Sequence, residues 1–238
     1  MKGRLSLKGK TAWIAGGKRI GQRIAEILAQ NGANIVLSYN RSKKEAEIAA
    51  EKCRQHSVKT LIIQCDVSSG NSVSNAVAQI KRDFKKIDIL VLMASVFEKK
   101  DFKSLTEQDF KQNFDVHVIG TFLQIQSSLE IMPKGSHIIT VSDKATVGKY
   151  YKGYLPYLLA KNAVNYLTKA LAIELKGMHI NTIAPGPVLK PDHLSEKRWK
   201  EIKKEMNYKK TDEESVEKFA ELVLKLSATK SSGKIYFV

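Results

Sequence analysis

Residues 11–21 read TAWIAGGKRIG, an apolar run that leads through a glycine-rich turn into a helical pattern. Apolar side chains recur at Ile24, Ile27 and Leu28, which together with Ile20 mark one face of a helix. At such a turn, backbone N–H groups and the helix N-terminus bind a pyrophosphate, although glycine-rich turns also occur for steric reasons alone. The stretch predicts a strand, a turn and a helix, with a candidate nucleotide site at the turn.

Short β-branched runs alternate with longer helical patterns along the chain. We predict strands over Thr11–Ala15, Asn34–Tyr39, Thr60–Cys65, Ile87–Met93, His137–Ser142, His179–Ile183 and Lys234–Val238. Several of these runs are nearly continuous in apolar residues, which is typical of strands that helices cover on both faces. The alternation predicts an α/β fold of Rossmann type in a single domain over residues 1–238. Its doubly wound parallel sheet would have about seven strands, with a ligand crevice at their carboxyl ends.

Capping patterns and apolar spacing predict the long helices. Thr106-Glu107-Gln108-Asp109 resembles a capping box that opens a helix to about Ile131, and Thr211-Asp212-Glu213-Glu214 opens another to about Leu226. The first of these helices and the helix after the fifth strand carry more apolar residues than one sheet face requires. These residues are Phe110, Phe114, Val118, Phe122, Ile125, Leu167, Leu171 and Leu175. Surplus apolar surface indicates a partner, so we expect a homo-oligomer, a dimer or a tetramer.

The composition is that of a folded globular chain of 238 residues, of which 43% are apolar. This fraction excludes the disordered class and provides a core without metal or disulfides. The two cysteines, Cys53 and Cys65, have no second cysteine or histidine at ligand spacing, so neither a zinc site nor a disulfide framework is expected. No apolar run has the length of a signal peptide or a membrane span. We expect a soluble, cytoplasmic protein.

The chain is strongly basic, with 40 Lys and Arg against 24 Asp and Glu and a net charge of +16. Nucleic acid, an acidic carrier protein and a phosphorylated small molecule all suit such a surface electrostatically. The basic residues are spread along the chain in pairs such as Lys43-Lys44 and Lys203-Lys204, a pattern typical of solvated helix faces. The charge by itself identifies no partner, and we do not expect nucleic-acid binding.

The end of the second predicted strand bears on the choice of nucleotide. An NAD site has a carboxylate at this position for the ribose 2′-hydroxyl, whereas this chain has Asn40-Arg41-Ser42 and no acidic residue before Glu45. Arg41, with Lys18 or Arg19, suits a 2′-phosphate, which favours NADP(H). The alternative is a solvated arginine in a loop. Asp66, after the third strand, either accepts from the adenine amino group or caps a turn.

Tyr157-Leu158-Leu159-Ala160-Lys161 places a phenol and an ammonium four residues apart on one face of a predicted helix. The positive charge of Lys161 favours the phenolate, so we expect it to lower the pKa of Tyr157 and make this residue a usable proton donor near neutral pH. The alternative is a packed tyrosine beside a surface lysine. In the context of the predicted fold, the pair indicates general acid catalysis.

From about Leu5 to Val238 the chain resembles the classical short-chain dehydrogenase/reductase family. The resemblance rests on the element order, the glycine loop, Asp66-Val67, the Tyr157 and Lys161 pair, and the segment from Asn181 to Pro187. It implies that Tyr157 is the general acid and that Lys161 holds the nicotinamide ribose. It also implies that a serine or its replacement binds the substrate carbonyl, and that segment 189–207 closes over the substrate. The implied cofactor residues are Gly16, Gly17, Lys18, Arg19, Ile20, Gly21, Asn40, Arg41, Ser42, Asp66, Val67, Ala94, Ser95, Lys161, Pro185 and Gly186.

Within this family the chain is most similar to pteridine reductases. Leu92-Met93-Ala94-Ser95-Val96-Phe97 resembles a segment in which the phenylalanine stacks on the pterin ring and the serine meets cofactor or substrate, which implies these roles for Phe97 and Ser95. The family's serine position falls at Asp143, an aspartate in pteridine reductases too. Either Asp143 or Ser142 makes the carbonyl contact. A 3-oxoacyl thioester on an acidic carrier protein is the alternative substrate, and a nucleotide-sensing protein with weak turnover is the alternative function.

The chain also departs from the family pattern. The glycine loop is one residue short, Leu92 and Met93 replace paired asparagines, and the interval from Asp143 to Tyr157 is one residue longer than usual. His117 stands where the family has an asparagine that supports a water relay to the lysine. His117 either contributes to that relay or is a satisfied core residue.

Overall fold

The computed structural model describes residues 5–16, 18–191, 194–205 and 207–238. Seven parallel strands form one sheet in the order β3-β2-β1-β4-β5-β6-β7. The strands are β1 (Thr11–Ala15), β2 (Asn34–Tyr39), β3 (Thr60–Gln64), β4 (Ile89–Leu92), β5 (His137–Val141), β6 (His179–Ala184) and β7 (Ile235–Phe237). The predicted fold class and all seven predicted strands are confirmed. The largest difference is at β4, which is shorter than the predicted Ile87–Met93.

The described residues form eight α-helices, seven of which pack on the sheet. They are α1 (Ile20–Gln30), α2 (Lys43–Arg54), α3 (Gly70–Phe84), α4 (Glu107–Phe114), α5 (Gly120–Ser128), α6 (Leu155–Glu174), α7 (Glu196–Glu205) and α8 (Asp212–Leu226). Helices α1, α2 and α8 pack together on one face, and α3 to α6 pack on the other. Within the described residues, none of these helices combines the length and the apolar character that crossing a bilayer requires.

The central strands are apolar because both faces of the sheet are covered. Every residue of β1 and of β4 is buried. On one face, Ile14, Ile35 and Val91 pack against the α1, α2 and α8 layer, and a separate cluster on the other face includes Trp13. Two-sided burial explains why the strand sequences lack apolar–polar alternation.

Neighbouring strands β1 and β4 mark the point where the strand order reverses. Their connections lead to opposite faces of the sheet, which leaves a crevice above their carboxyl ends. At its base, Gly16 has a φ of +80°, and a Cβ there would lie 2.4 Å from the Cα of Ala94. Glycine at position 16 therefore permits both the turn and the close approach of the two loops.

The long helix predicted from Thr106 to Ile131 is interrupted. The capping box of Thr106 and Asp109 is present, but a π-helical turn over Asp115–Ile119 separates α4 from α5, and the N–H of Gly120 donates to the carbonyl of Asp115. A Cβ at Gly120 would lie 3.0 Å from Val67, so the helix approaches the end of β3 closely at this point. Periodicity did not predict the turn, because a single extra residue leaves the apolar spacing on either side nearly intact.

Helix α6 is held to the sheet by three buried hydroxyl groups. Thr168 of α6 lies 2.9 Å from Thr140 of β5 and 2.8 Å from Thr182 of β6, and the two strand hydroxyls are 2.8 Å apart. Buried hydroxyls that satisfy one another carry little desolvation penalty. This contact fixes the height of α6 above the sheet.

Of the eight residues predicted to form a surplus apolar face, one is buried, one is exposed, and six, including Phe110, Phe114, Val118 and Leu167, are partly buried. Ile125 is buried, and Leu171 and Leu175 pack against the core, so these residues belong to the interior. Phe122 remains 38% exposed. Other exposed apolar side chains are Ile119 in the π-helical turn and Leu159, Tyr166 and Ile173 on α6.

Candidate active site

A crevice of about 530 Å³ opens above the carboxyl ends of β1 to β4. Nine of the predicted cofactor residues line it, namely Gly16, Lys18, Asn40, Arg41, Ser42, Asp66, Val67, Ala94 and Ser95. Ile20 and Gly21 begin α1 beside it, and Gly17 lies outside the described residues. The loops that follow separate strands meet here because parallel strands end at the same edge of the sheet.

The basic residues near the end of β2 do not all have the predicted arrangement. Lys18 and Arg41 line the crevice, and the Lys18 ammonium is 3.2 Å from the carboxylate of Glu45. Arg19 instead donates to the main-chain carbonyl of Lys190. Of the two alternatives offered beside Arg41, Lys18 thus lines the crevice, whereas the Arg19 side chain reaches the segment after β6 from a backbone with a φ of +64°.

Asp66, after β3, lines the crevice and also accepts hydrogen bonds within its own turn. One carboxylate oxygen of Asp66 accepts from the N–H of Ser68 at 3.0 Å and from its hydroxyl at 2.6 Å, while the residue lines the crevice. Asp66 therefore caps a turn and remains available to a ligand.

The carbonyl of Pro185 accepts from the N–H of Lys144 at 2.9 Å, which joins the turn of Pro185 and Gly186 after β6 to the end of β5.

The Asp143 carboxylate, at the end of β5, is the centre of a hydrogen-bond network. Its Oδ2 accepts from the Tyr157 hydroxyl at 3.0 Å and from the Tyr151 hydroxyl at 2.5 Å, and its Oδ1 accepts from the N–H of Ala145 at 2.8 Å. Burial raises the pKa of Asp143, even though these three donors and the nearby Lys161 favour the carboxylate. The structure thus joins Asp143 to the predicted acid Tyr157.

Ser142, the alternative to Asp143, faces the interior. Its side chain is 1% exposed, and its hydroxyl has no hydrogen-bond partner among the described residues. Asp143 accepts from the Tyr157 hydroxyl, whereas the neighbouring Ser142 side chain is enclosed and does not reach it. The geometry favours Asp143 as the residue that contacts an acceptor.

The Lys161 ammonium lies 5.7 Å from the centre of the Tyr157 ring and donates to the carbonyl of Val141 at 2.8 Å. Burial lowers the pKa of Lys161 to about 8. The lowering of the Tyr157 pKa that we expect from the Lys161 charge is outweighed in this structure, in which that pKa is raised well above its usual value. Burial of the phenol is the largest cause, followed by the charge of Asp143.

Aromatic rings border the two reactive groups. Phe97 stacks on Tyr154 with ring centres 4.3 Å apart, and its ring meets that of Tyr157 edge-on at 4.8 Å. The Tyr151 ring contacts Tyr154 edge-on at 5.3 Å. The predicted substrate residue Phe97 therefore lies against the predicted acid. Tyr151 and Tyr154 were not predicted, although tyrosines three residues apart before Tyr157 were a signal that could have identified them.

His117 lies in the π-helical turn and is 2% exposed. Its Nδ1 is 3.0 Å from the carbonyl of Asn113, and a carbonyl only accepts, so Nδ1 carries the proton. Its Nε2 then accepts from the Ser95 hydroxyl at 2.9 Å and from the N–H of Val96 at 3.3 Å. Burial, with the charge of Lys161, lowers the pKa of His117 to about 2. With both nitrogens occupied, its side chain makes no direct link to Lys161.

The predicted closing segment 189–207 contains α7 and is attached to the first residue of α8. Asp212 accepts from the main-chain N–H of Lys190 at 2.9 Å and from the Trp199 indole at 2.9 Å. The Lys203 ammonium also donates to Asp212. All three donors meet at one carboxylate, which fixes α7 and the segment before it against the start of α8.

Among the described residues, no group of three or more His, Cys, Asp or Glu is arranged to hold a metal ion. Burial raises the pKa of the Cys53 thiol to about 12 and that of the Cys65 thiol to about 11. Thiols in this state are packing groups rather than nucleophiles.

The chain is similar to oxidoreductases both in sequence and in structure. Residues 14–234 match the family model described as Enoyl-(Acyl carrier protein) reductase. An uncharacterized oxidoreductase of Methylorubrum extorquens is 31% identical over 77% of this chain and 75% of its own length. A short-chain dehydrogenase/reductase from Serratia marcescens matches with a TM-score of 0.87 and 28% identity, over 98% of this chain and 97% of that one. L-Sorbose reductase from Gluconobacter frateurii, solved with NADPH and L-sorbose, matches with a TM-score of 0.85 and 25% identity, over 99% and 97%.

We predict that His117 stays in the neutral, Nδ1-protonated form from pH 8 to pH 4.5, because burial disfavours the cation. Long-range ¹⁵N–¹H correlation spectra of histidine-labelled protein report the tautomer directly, and the His117→Asn variant identifies its signal. The unfolded chain binds this proton near pH 6.5, so the His117 contribution to the free energy of unfolding falls as the pH drops below that value. A shift to the imidazolium pattern above pH 5 would contradict the prediction.

Proposed function

The chain belongs to the short-chain dehydrogenase/reductase family, and from that premise we propose that it is an NADPH-dependent oxidoreductase that reduces a C=O or C=N bond. The observation that carries the proposal is the group formed by Tyr157, Lys161 and Asp143 at the carboxyl end of β5, the strand next to β4. This group combines a proton donor, a buried cation and a carboxylate within one network. A protein that only bound a nucleotide would not need such a donor.

The described crevice fits the cofactor. Lys18 and Arg41 lie at its β2 end, where no acidic residue directly follows the strand and the nearby Glu45 is paired with Lys18, so a 2′-phosphate is favoured. Gly16 leaves room at the base that a Cβ would fill. Ser95 and Ala94 form the wall near Tyr157. The NADPH complex of the Gluconobacter sorbose reductase supports the same choice of cofactor.

The residues divide the reaction between them. When bound, NADPH supplies the hydride that reaches the acceptor carbon. The Tyr157 hydroxyl gives its proton to the acceptor oxygen or nitrogen and becomes a phenolate, which the Lys161 ammonium stabilises. Asp143 holds the Tyr157 hydroxyl before the acceptor arrives. Much of the acceleration comes from holding donor and acceptor in a reactive pose.

The surroundings of Asp143 and Phe97 favour a flat heteroaromatic substrate such as a pterin. A carboxylate accepts hydrogen bonds and does not donate them, so it suits an acceptor that carries N–H groups beside the bond to be reduced. The half-buried ring of Phe97, backed by the buried ring of Tyr154, provides a stacking surface. A 3-oxoacyl thioester on an acidic carrier protein is the second candidate, favoured by the net charge of +16.

The test is NADPH oxidation at 340 nm with dihydropterins, quinones, ketones and a 3-oxoacyl thioester. We expect turnover with a dihydropterin, and we expect Tyr157→Phe to lower the rate about 10²–10⁴-fold while NADPH affinity changes only a few fold. Tyr150→Phe, which removes the hydroxyl of a tyrosine that is 50% exposed and lies before α6, serves as the control. NADPH binding without turnover on any acceptor would instead identify a nucleotide-sensing protein.

We expect Arg41→Ala to weaken NADPH binding about ten- to a hundredfold and to leave NADH binding nearly unchanged, because one charge-assisted contact to a 2′-phosphate is lost. Arg54→Ala, at the far end of α2, is the matched control. Fluorescence titration gives both dissociation constants. Equal losses for the two cofactors would show that Arg41 does not contact the 2′-phosphate.

We also propose that the chain forms a homo-oligomer through α5 and α6. Phe122, Tyr166 and Ile173 expose apolar surface on these neighbouring helices, with Tyr166 at 76% and Ile173 at 71%. Light scattering at micromolar concentration is expected to give the mass of a dimer or tetramer, and Ile173→Lys is expected to weaken the assembly. A monomer mass for the unmodified protein would contradict this proposal.

A further inference from the structure

We propose that Tyr151 is a positioning residue that holds Asp143 as an oriented carboxylate and thereby keeps Tyr157 the proton donor. The inference rests on the proposed function for its role in the reaction. Its structural basis, the short contact between Tyr151 and Asp143, is independent of the substrate. Tyr151 lies in the connection between β5 and α6, outside the motif that contains Tyr157 and Lys161.

The hydrogen-bond geometry gives Tyr151 the stronger contact with Asp143. Both phenols donate to Oδ2, Tyr151 at 2.5 Å and Tyr157 at 3.0 Å. The other oxygen, Oδ1, accepts from the N–H of Ala145. The carboxylate plane is thus fixed by Tyr151 on one side and the backbone on the other. When Tyr157 turns towards an acceptor, Asp143 keeps two donors and retains its orientation.

Three ionisable groups face Asp143. Tyr151 approaches from the loop, and Tyr157 and Lys161 approach from α6. His117 packs behind the Tyr157 ring, with ring centres 5.4 Å apart, and is neutral. Burial favours the uncharged acid, whereas all three facing groups favour the carboxylate. Among them, the phenol of Tyr151 can be removed without touching the motif residues of α6.

The ionisation state of Asp143 decides what this residue can do. As a carboxylate it accepts from Tyr157 or from an N–H group of an acceptor. As an acid it would itself donate a proton and compete with Tyr157. By stabilising the carboxylate, Tyr151 separates the two roles, so that Asp143 orients the acceptor and Tyr157 donates the proton.

The experiment compares Tyr151→Phe with two matched changes that remove a phenol hydroxyl nearby. Tyr150→Phe alters the neighbouring residue, which is 50% exposed, and Tyr154→Phe alters the ring stacked on Phe97. Neither hydroxyl donates to Asp143 in the structure, where Tyr151 and Tyr157 are the phenols that do, and the Tyr151→Phe ring retains the edge contact with Tyr154. Protein labelled with ¹³C at the aspartate side-chain carboxyl is titrated by NMR, and Asp143→Asn identifies the signal of Asp143.

We expect the pKa of Asp143 to rise by about one to two pH units in Tyr151→Phe, because the carboxylate loses one charge-assisted hydrogen bond. In both control variants the pKa of Asp143 should stay within about 0.3 units of its value in the unmodified protein. In active enzyme, the limb of the pH profile of kcat/KM that reports Asp143 should move upward by the same amount. An unchanged Asp143 pKa in Tyr151→Phe, or an equal shift in the controls, would overturn the proposal.

The two measurements separate this inference from the proposed function. The NMR titration requires no turnover, so it tests Tyr151 even if no acceptor is reduced. A shifted pKa in a protein without activity would support the Tyr151 contact and contradict the proposed reaction. Normal activity with an unshifted Asp143 pKa would support the proposed reaction and contradict the role of Tyr151.

Discussion

The parallel arrangement of the strands is the constraint on which the site depends. Parallel strands place all their carboxyl ends at one edge, so residues from distant parts of the chain, such as Gly16, Arg41 and Asp143, meet above the same edge. Because β1 and β4 are neighbours whose connections leave in opposite directions, a crevice forms between them. The close approach of Gly16 to Ala94 at its base is possible only without a side chain at position 16.

The chemistry of the site depends on how its buried charges are satisfied. Asp143 and Lys161 lie in an aromatic and aliphatic setting where an unpaired charge is costly. The ammonium is satisfied by the Val141 carbonyl, and the carboxylate by two phenols and a backbone N–H. Burial opposes both charges, which lowers the pKa of Lys161 and raises that of Asp143. Because one pKa falls and the other rises, both pKa values move towards neutral pH.

Where the chain departs from the family pattern, its own side chains provide other contacts. Leu92 is buried in the core, and the N–H of Met93 donates to the carbonyl of Ala15, so backbone pairing and apolar packing hold this strand end. His117 accepts from the Ser95 and Val96 segment and thereby attaches the wall of the crevice to the π-helical turn. A neutral imidazole is suited to this position because it accepts at one nitrogen while it donates at the other.

The sequence by itself determined the strand order, the fold class, the capping boxes of Thr106 and Thr211, and nine of the residues that line the crevice. These features follow from apolar periodicity, glycine at a turn and the convergence of parallel strands, which are local or general. Only the tertiary structure decided that Arg19 reaches Lys190, that Tyr151 contacts Asp143, and that the pKa of Tyr157 is raised. Side-chain direction and burial depend on contacts between segments distant in the sequence. The spacing of Tyr157 and Lys161 indicates that the two residues meet. The surrounding packing determines whether burial or the neighbouring charge has the larger effect on the pKa of the tyrosine.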